Sequence, residues 1–306
     1  MIINRKNFRA FVNSLASEYN LVAPSDYRFK RVHSFDEIML DGKTVFSAKH
    51  VFFPQKEALL YFRGKEIIQS ARPTVLFGVR PCDMNAIAYT DLFFRGDPYY
   101  EKKRESTIIL GLQCTRPFKN CYCHLTDTFE SSNYDALFIE SKNDFFIDAK
   151  TEKGRDIVKR LCKNLCRVVG EKEIETLMNL IKQNFIRKNN AIKINDKVIE
   201  RFSKDCYSCT MCTSVCPTCT CFDIEDEMGI GRPYRRVRKW DSCQTQPFTR
   251  VAGEFVFRET RLSRVRQRIY CKFDYSKKNH GMLSCTGCGR CIPICNKEIN
   301  IFEAVR

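Results

Sequence analysis

The chain has 306 residues, 43% hydrophobic and 29% charged, with 18 cysteines, four histidines and a formal charge of +16. That is the composition of a globular protein long enough for two domains, and no apolar run approaches the ~18 residues a spanning helix needs. The start, "MIINRKNFRAFVNSLASEYN", scatters its charges and lacks an apolar leader, so a cytoplasmic, thiol-reducing location is expected and a disulfide scaffold is excluded.

Taken in chain order, residues 74–150 read as an α/β unit. "TVLFGVR" (Thr74 to Arg80) and "TIILGLQ" (Thr107 to Gln113) are short apolar runs with β-branched residues, the pattern of buried strands. "DMNAIAYTDLFF" between them has a helical face. "YDALFIES" and "DFFIDAK" are two further strands around a "KND" turn. Residues 152–188 read as helical, with Ile174, Leu177, Ile181 and Phe185 at spacings of three and four. "KNNAIKINDK" then reads as a polar linker or exposed hairpin, and a cysteine-rich part begins near Phe202. Within it Leu262, Val265, Ile269 and Phe273 again repeat at helical spacing. The expected fold class is therefore α/β combined with α+β. An N-terminal mixed α/β domain (1–200) is followed by a helical, ferredoxin-like dicluster domain (201–306).

The cysteine-rich part carries the strongest signal. Cys206-x2-Cys209-x2-Cys212-x3-Cys216-Pro217 has the spacing of bacterial two-cluster ferredoxins. Three thiolates hold one cubane and the fourth reaches to its neighbour, so a second motif is required. Cys285-x2-Cys288-x2-Cys291-x3-Cys295 supplies it. The expected ligand sets for two [4Fe-4S] clusters are Cys206, Cys209, Cys212 and Cys295 for the first, and Cys285, Cys288, Cys291 and Cys216 for the second. Gly287 and Gly289 suit tight turns around the sulfurs. Two zinc ribbons would leave the third and fourth cysteines of each motif without a purpose. Asn296 stands where a proline usually follows the last cysteine, which bears on the local backbone but not on ligation.

Cys82 and Cys114 each follow a predicted buried strand. Neighbouring parallel strands would bring them together, with Cys121 and Cys123 closing over the same edge. Spacing alone leaves a third four-iron cluster, structural zinc and unligated thiols open there. Cys162 and Cys166, four apart, read as buried residues of one helix face. Cys219, Cys221 and Cys243 read as small residues packed around the clusters, and Cys271 carries no signal. Histidine-ligated haem finds little support in His33, His50, His124 and His280, and no C-x-x-C-H is present. "GIGRP" lacks the strand and third glycine of a dinucleotide fingerprint, so no flavin or NAD is expected in this chain. Residues 232–272 hold twelve Lys/Arg against three Asp/Glu. A four-thiolate cubane carries roughly two negative charges, so this excess reads as cluster compensation and a docking face for an acidic partner.

"LVAPSDYRF", "RPCDMNAIAYTDLFF", "DPYYEKKRE", "CYCHLTDT", "CPTCTCFDIEDE", "FTRVAG" and "CTGCGRC" together resemble the A subunit of anaerobic sulfite reductase and the beta subunit of archaeal sulfhydrogenases, over about Leu21 to Phe302. The resemblance implies an iron–sulfur wire. It adds a third cluster on Cys82, Cys114, Cys121 and Cys123, a flavin- and nicotinamide-binding partner, and a sirohaem-containing partner that reduces sulfite to sulfide. In the sulfhydrogenases the far partner is a nickel–iron hydrogenase. "WDSCQ" is closer to the hydrogenase-type relatives. The reading is a non-catalytic electron-transfer subunit of an anaerobic sulfite reductase, with the sulfhydrogenase-type complex as the alternative. A nucleic-acid-binding protein with structural clusters would need aromatics interleaved with the basic stretch, and those present sit at helix-core spacings. No membrane partner is expected.

Overall fold

A computed structural model describes residues 1–61, 65–66, 73–185, 192–229 and 232–305. Its main layer is an eight-stranded sheet of β1 (Ile2–Asn4), β2 (Asn20–Ser25), β3 (Arg28–Arg31), β6 (Thr74–Val79), β7 (Thr107–Leu112), β8 (Ala136–Ser141), β9 (Asp144–Ala149) and β10 (Cys166–Arg167). The spatial order is β10-β1-β9-β8-β7-β6-β2-β3. The central run β2-β6-β7-β8 is parallel, and its strands read as continuous apolar stretches because both faces are covered. A second sheet joins β4 (Lys56–Tyr61) and β5 (Lys65–Glu66) to a long hairpin, β11 (Phe222–Gly229) and β12 (Arg232–Trp240). The helices are α1 (Arg5–Glu18), α2 (Lys49–Phe52), α3 (Pro81–Phe93), α4 (Pro98–Glu105), α5 (Cys123–Thr126), α6 (Glu152–Leu161), α7 (Glu171–Gln183), α8 (Asp196–Asp205), α9 (Met211–Ser214), α10 (Arg261–Tyr270) and α11 (Ser276–His280).

The predicted strands and the helix after Arg80 stand where the periodicity put them. Pro81 at the first helical position starts α3, where its missing N–H costs nothing. The helical reading of 152–188 needs a correction. α6 ends at Leu161 and α7 begins at Glu171, with edge strand β10 between them, so Cys162 caps α6 and Cys166 lies on β10 rather than on one helix face. Two backbone bonds close the turn between them, Leu165 N to Cys162 O (2.8 Å) and Cys166 N to Cys162 O (3.1 Å), and β1 pairs with the strand that follows. The first four residues of the expected polar linker, 188–191, lie outside the described residues; 192–195 are irregular, α8 begins at Asp196, and residue 200 falls inside it.

One core lies on each face of the large sheet. Phe8, Phe11, Leu15, Phe77, Phe138, Phe145 and Ile157 fill the side under α1 and α6. Phe52, Phe53, Met84, Ile87, Phe94, Tyr100 and Ile139 fill the other. A third cluster, with Ile199, Phe202, Val265, Ile269, Phe273 and Phe302, backs the cysteine-rich part. The two parts of the chain interlock. β12 pairs with β4, and buried Arg238 of β12 reaches Glu57 at 2.7 Å and Asp97. Arg290 forks onto Asp83 at 2.6 and 2.7 Å with both side chains buried.

Candidate metal centres

Parallel pairing of β6 with β7 brings their C-terminal ends side by side. Cys82, in the first turn of α3, and Cys114, just past β7, therefore meet at one edge of the sheet. The turn carrying Cys121 and Cys123 folds over them, and the four thiols line one cavity of about 350 Å³ with Lys43, Arg80 and Cys288. Cys288 reaches this wall because the 285–291 loop runs against the 120–123 turn. Tyr122 N donates to Gly287 O at 2.7 Å. A Cβ at Gly287 would sit 2.4 Å from the Tyr122 carbonyl carbon, and one at Gly289 would sit 1.6 Å from Asn120 O; both glycines have positive φ, 60° and 69°. These glycines serve the close approach of two backbones.

The ferredoxin-type motifs line two further cavities. Cys206, Cys209, Cys212, Cys291 and Cys295 surround one of about 670 Å³, between α8, α9 and α10. Cys216, Cys285, Cys288 and Cys291 surround one of about 330 Å³. Each set expected from spacing thus faces a single cavity, and the far cysteine of each motif does cross to the other's chamber. Among the described residues no three Cys, His, Asp or Glu side chains gather at the spacing of a single ion. The thiols stand around chambers, as the ligands of a multi-atom cluster do.

The chambers run in series. Cys291 and Arg268 line both motif cavities, and Cys288 lines both the 330 Å³ cavity and the one at the sheet edge. Cations stand in or close behind their walls. Arg268 donates to Cys212 O at 2.9 Å and to Cys219 Sγ at 3.5 Å. Lys272 reaches Thr218 Oγ1 at 2.9 Å, and Lys49 reaches Cys219 O at 3.1 Å over the Trp240 ring. Lys43 lies 3.4 Å from Cys121 Sγ. Among the described residues Lys49, Arg268 and Lys272 form no salt bridge with a carboxylate. Unpaired buried cations are costly, so the interior calls for an anionic guest.

Burial pushes the thiols up, Cys212 to about 11 and Cys123 and Cys291 to about 12. They are neutral until a metal displaces their protons. Burial works against the charge of Arg268, and Cys212, Cys219 and Cys216 outweigh it once they are thiolates. Arg80, Arg268 and Arg290 have a sequence signal in retrospect, each lying in or packed on a cysteine motif. Lys43 and Lys49 come from a segment with none.

The remaining thiols pair with one another. Cys221 and Cys243 share a hydrogen bond that raises the first and lowers the second; Cys216 and Cys219 do the same with Cys216 lowered. Cys162 bonds Cys166, away from the chambers. Cys271 opens a π-helical stretch, Cys271–Tyr275, joining α10 to α11. Much of the basic excess is satisfied within the molecule: Arg235 pairs with Glu227 and Arg236 with Asp226 across the hairpin, and Lys239 pairs with Glu225.

Thiol-lined chambers behind paired ferredoxin motifs, with cations in their walls, define an iron–sulfur electron-transfer subunit. Residues 205–299 match the 4Fe-4S dicluster domain family. The whole chain is 31% identical to sulfhydrogenase 2 subunit beta of Pyrococcus furiosus, over 99% of this chain and 97% of that one. The chain belongs to the sulfhydrogenase beta-subunit family. No solved structure matches it. No helix among the described residues is long and apolar enough to cross a membrane.

Proposed function

We propose that the chain relays electrons within a sulfhydrogenase-type complex, between a flavin- and nicotinamide-binding partner and a nickel–iron hydrogenase partner. The observation that carries this reading is the series of three chambers with shared walls. Cys206, Cys209, Cys212 and Cys295 would hold one [4Fe-4S] cluster; Cys216, Cys285, Cys288 and Cys291 a second; and Cys82, Cys114, Cys121 and Cys123 a third. Bound clusters supply one-electron storage and transfer. The chain supplies thiolate ligands, apolar walls that exclude water, and the positive charge of Lys43, Lys49, Arg268 and Lys272, which favours the reduced, more negative state. Choosing a hydrogenase as the far partner follows the relative's name, in place of the sirohaem subunit that the motif resemblance first favoured.

Iron and acid-labile sulfide counting on anaerobically purified protein tests the reading. About twelve irons per chain are expected, falling by about four in C82S or C114S while the other two signals persist. Unchanged iron in those variants would leave the sheet-edge thiols structural, and zinc in place of iron would remove the relay altogether. Affinity purification of the tagged chain from its own cells decides the partner. Hydrogen-dependent viologen reduction in the eluate supports a hydrogenase, and sulfite-dependent viologen oxidation supports the sirohaem alternative.

A further inference from the structure

Cys209 is exposed, whereas every other cysteine of the chain is buried or half-buried. The backbone turns it outward by an uncommon route. Ser208 and Thr210, on either side, both have positive φ (55° and 67°) without being glycine. Ser208 N is held on Cys206 Sγ at 3.3 Å, and the Thr210 carbonyl accepts from Thr213 N at 2.9 Å. The 670 Å³ chamber therefore comes to the surface at this one ligand.

The surface around it is apolar at the centre and cationic at the edge. Tyr207 (64% exposed) and Met211 flank Cys209. Arg264 connects this turn to the 250–258 loop, donating to Ser208 Oγ at 3.5 Å and to Arg258 O at 3.1 Å. That loop presents Phe255 and Phe257 (67% exposed), packed edge to face with centroids 5.0 Å apart. Lys204, Arg258, Arg261, Arg264 and Lys297 surround the patch, and among the described residues none of them forms a salt bridge. This contrasts with the hairpin, where the arginines facing Asp226 and Glu227 are paired. Exposed aromatics edged by five cations without a salt-bridge partner, with the carboxylates of Asp205, Glu254, Glu259 and Glu298 exposed in the same segments, have the composition of an interface core and rim.

We propose that this face docks an acidic electron-carrier protein, which exchanges electrons with the chamber behind Cys209. The proposal rests on the relay reading and adds the end of the relay that meets this carrier and the charge the carrier presents. Aromatic side chains anchor the contact, and the unpaired cations steer an anionic surface towards it.

The test uses the full-length, cluster-loaded chain, reduced with dithionite and freed of excess reductant. An acidic flavodoxin is the probe, and its one-electron reduction is followed by stopped flow. The rate constant is expected to fall about tenfold between low salt and 0.2 M salt. The double variant K204E/R258E is expected to slow it about tenfold at low salt and flatten the salt dependence, with iron content unchanged. F257S, which keeps the charge, is expected to slow transfer at all salt concentrations. Equal rates for K204E/R258E and the parent would overturn the proposal. So would a larger loss in K119E, which lies beside Cys121 at the other end of the relay. Salt-sensitive binding of labelled single-stranded DNA that is abolished by K204E/R258E, with flavodoxin reduction unaffected, would assign the face to nucleic acid instead. Oxidised benzyl viologen separates the two levels of failure. Reduction of viologen but not flavodoxin overturns the docking face alone, and reduction of neither overturns the relay as well.

Discussion

Phe8 stacks on Phe145 at 3.9 Å between ring centroids and packs against Phe77 and Phe138, all buried over the large sheet. The interior between Cys206 and Cys295 has a different filling. It holds thiols, three buried cations without carboxylates, and chambers that no side chain occupies. The first region closes on itself by apolar contact. The second is framed by the ten-residue helices α8 and α10, but its cysteine loop has only the four-residue α9 and needs Ser208 and Thr210 in the left-handed region. Short helices and strained turns do not persist by propensity alone. The difference teaches that one part of the chain is filled by apolar side chains throughout, while the other backs an apolar cluster with thiols and cations suited to a metal guest.

The largest effect that would break this comparison is metal removal. Iron chelation is expected to open residues 201–306 to protease and hydrogen exchange while β6, β7 and β8 stay protected. Uniform loss of protection would show that the sheet also depends on the metal. Phe138→Ala should have the opposite signature. It is expected to lower unfolding stability by about 3–5 kcal/mol with iron content unchanged, because it leaves a cavity on the face of the sheet opposite Cys114, Cys121 and Cys123. Gly289→Ala tests the seam between the regions. Its Cβ would collide with Asn120 O, so about 1–3 kcal/mol of destabilisation is expected. Iron loss should be greatest at the sheet-edge chamber, read by iron counting beside a thermal melt. Arg268→Met should alter stability least and potential most. Removing one buried charge at an effective dielectric near 20 changes reduction by about 1–2 kcal/mol, roughly 50–100 mV more negative for one electron. Redox titration of both motif clusters checks it, and an unmoved potential would mean that Arg268 serves packing alone.

Local information reached the sequence well. The motif spacings name the thiols of two chambers because each cubane corner is wrapped by one short turn. The sheet-edge chamber was foreseeable from two apolar runs that each end just before a cysteine, since parallel neighbours place such ends together. Non-local pairing was not legible. Nothing in "FDIEDEMG" marks its pairing across the hairpin or the seating of β12 on β4, because alternating charges look the same on a solvated strand and an ion-paired one. Lys43 enters a chamber wall, and Lys49 meets the Cys219 carbonyl, through the fold alone. The break of the 152–188 helix at Cys162 was hidden because "KNLCRVVG" keeps apolar residues at spacings compatible with either structure.

Cys288 and Cys291 each belong to two chamber walls. In engineering terms, the 288–291 segment therefore has no independent degrees of freedom. An insertion or deletion there would change three sites at once, so a single cluster can be retuned only from residues that face one chamber. Lys43 beside Cys121 is such a residue at one end, and Asn296 beside Cys295 at the other. Variation among relatives that preserve the relay is expected to collect at such outer positions and to spare the shared partitions.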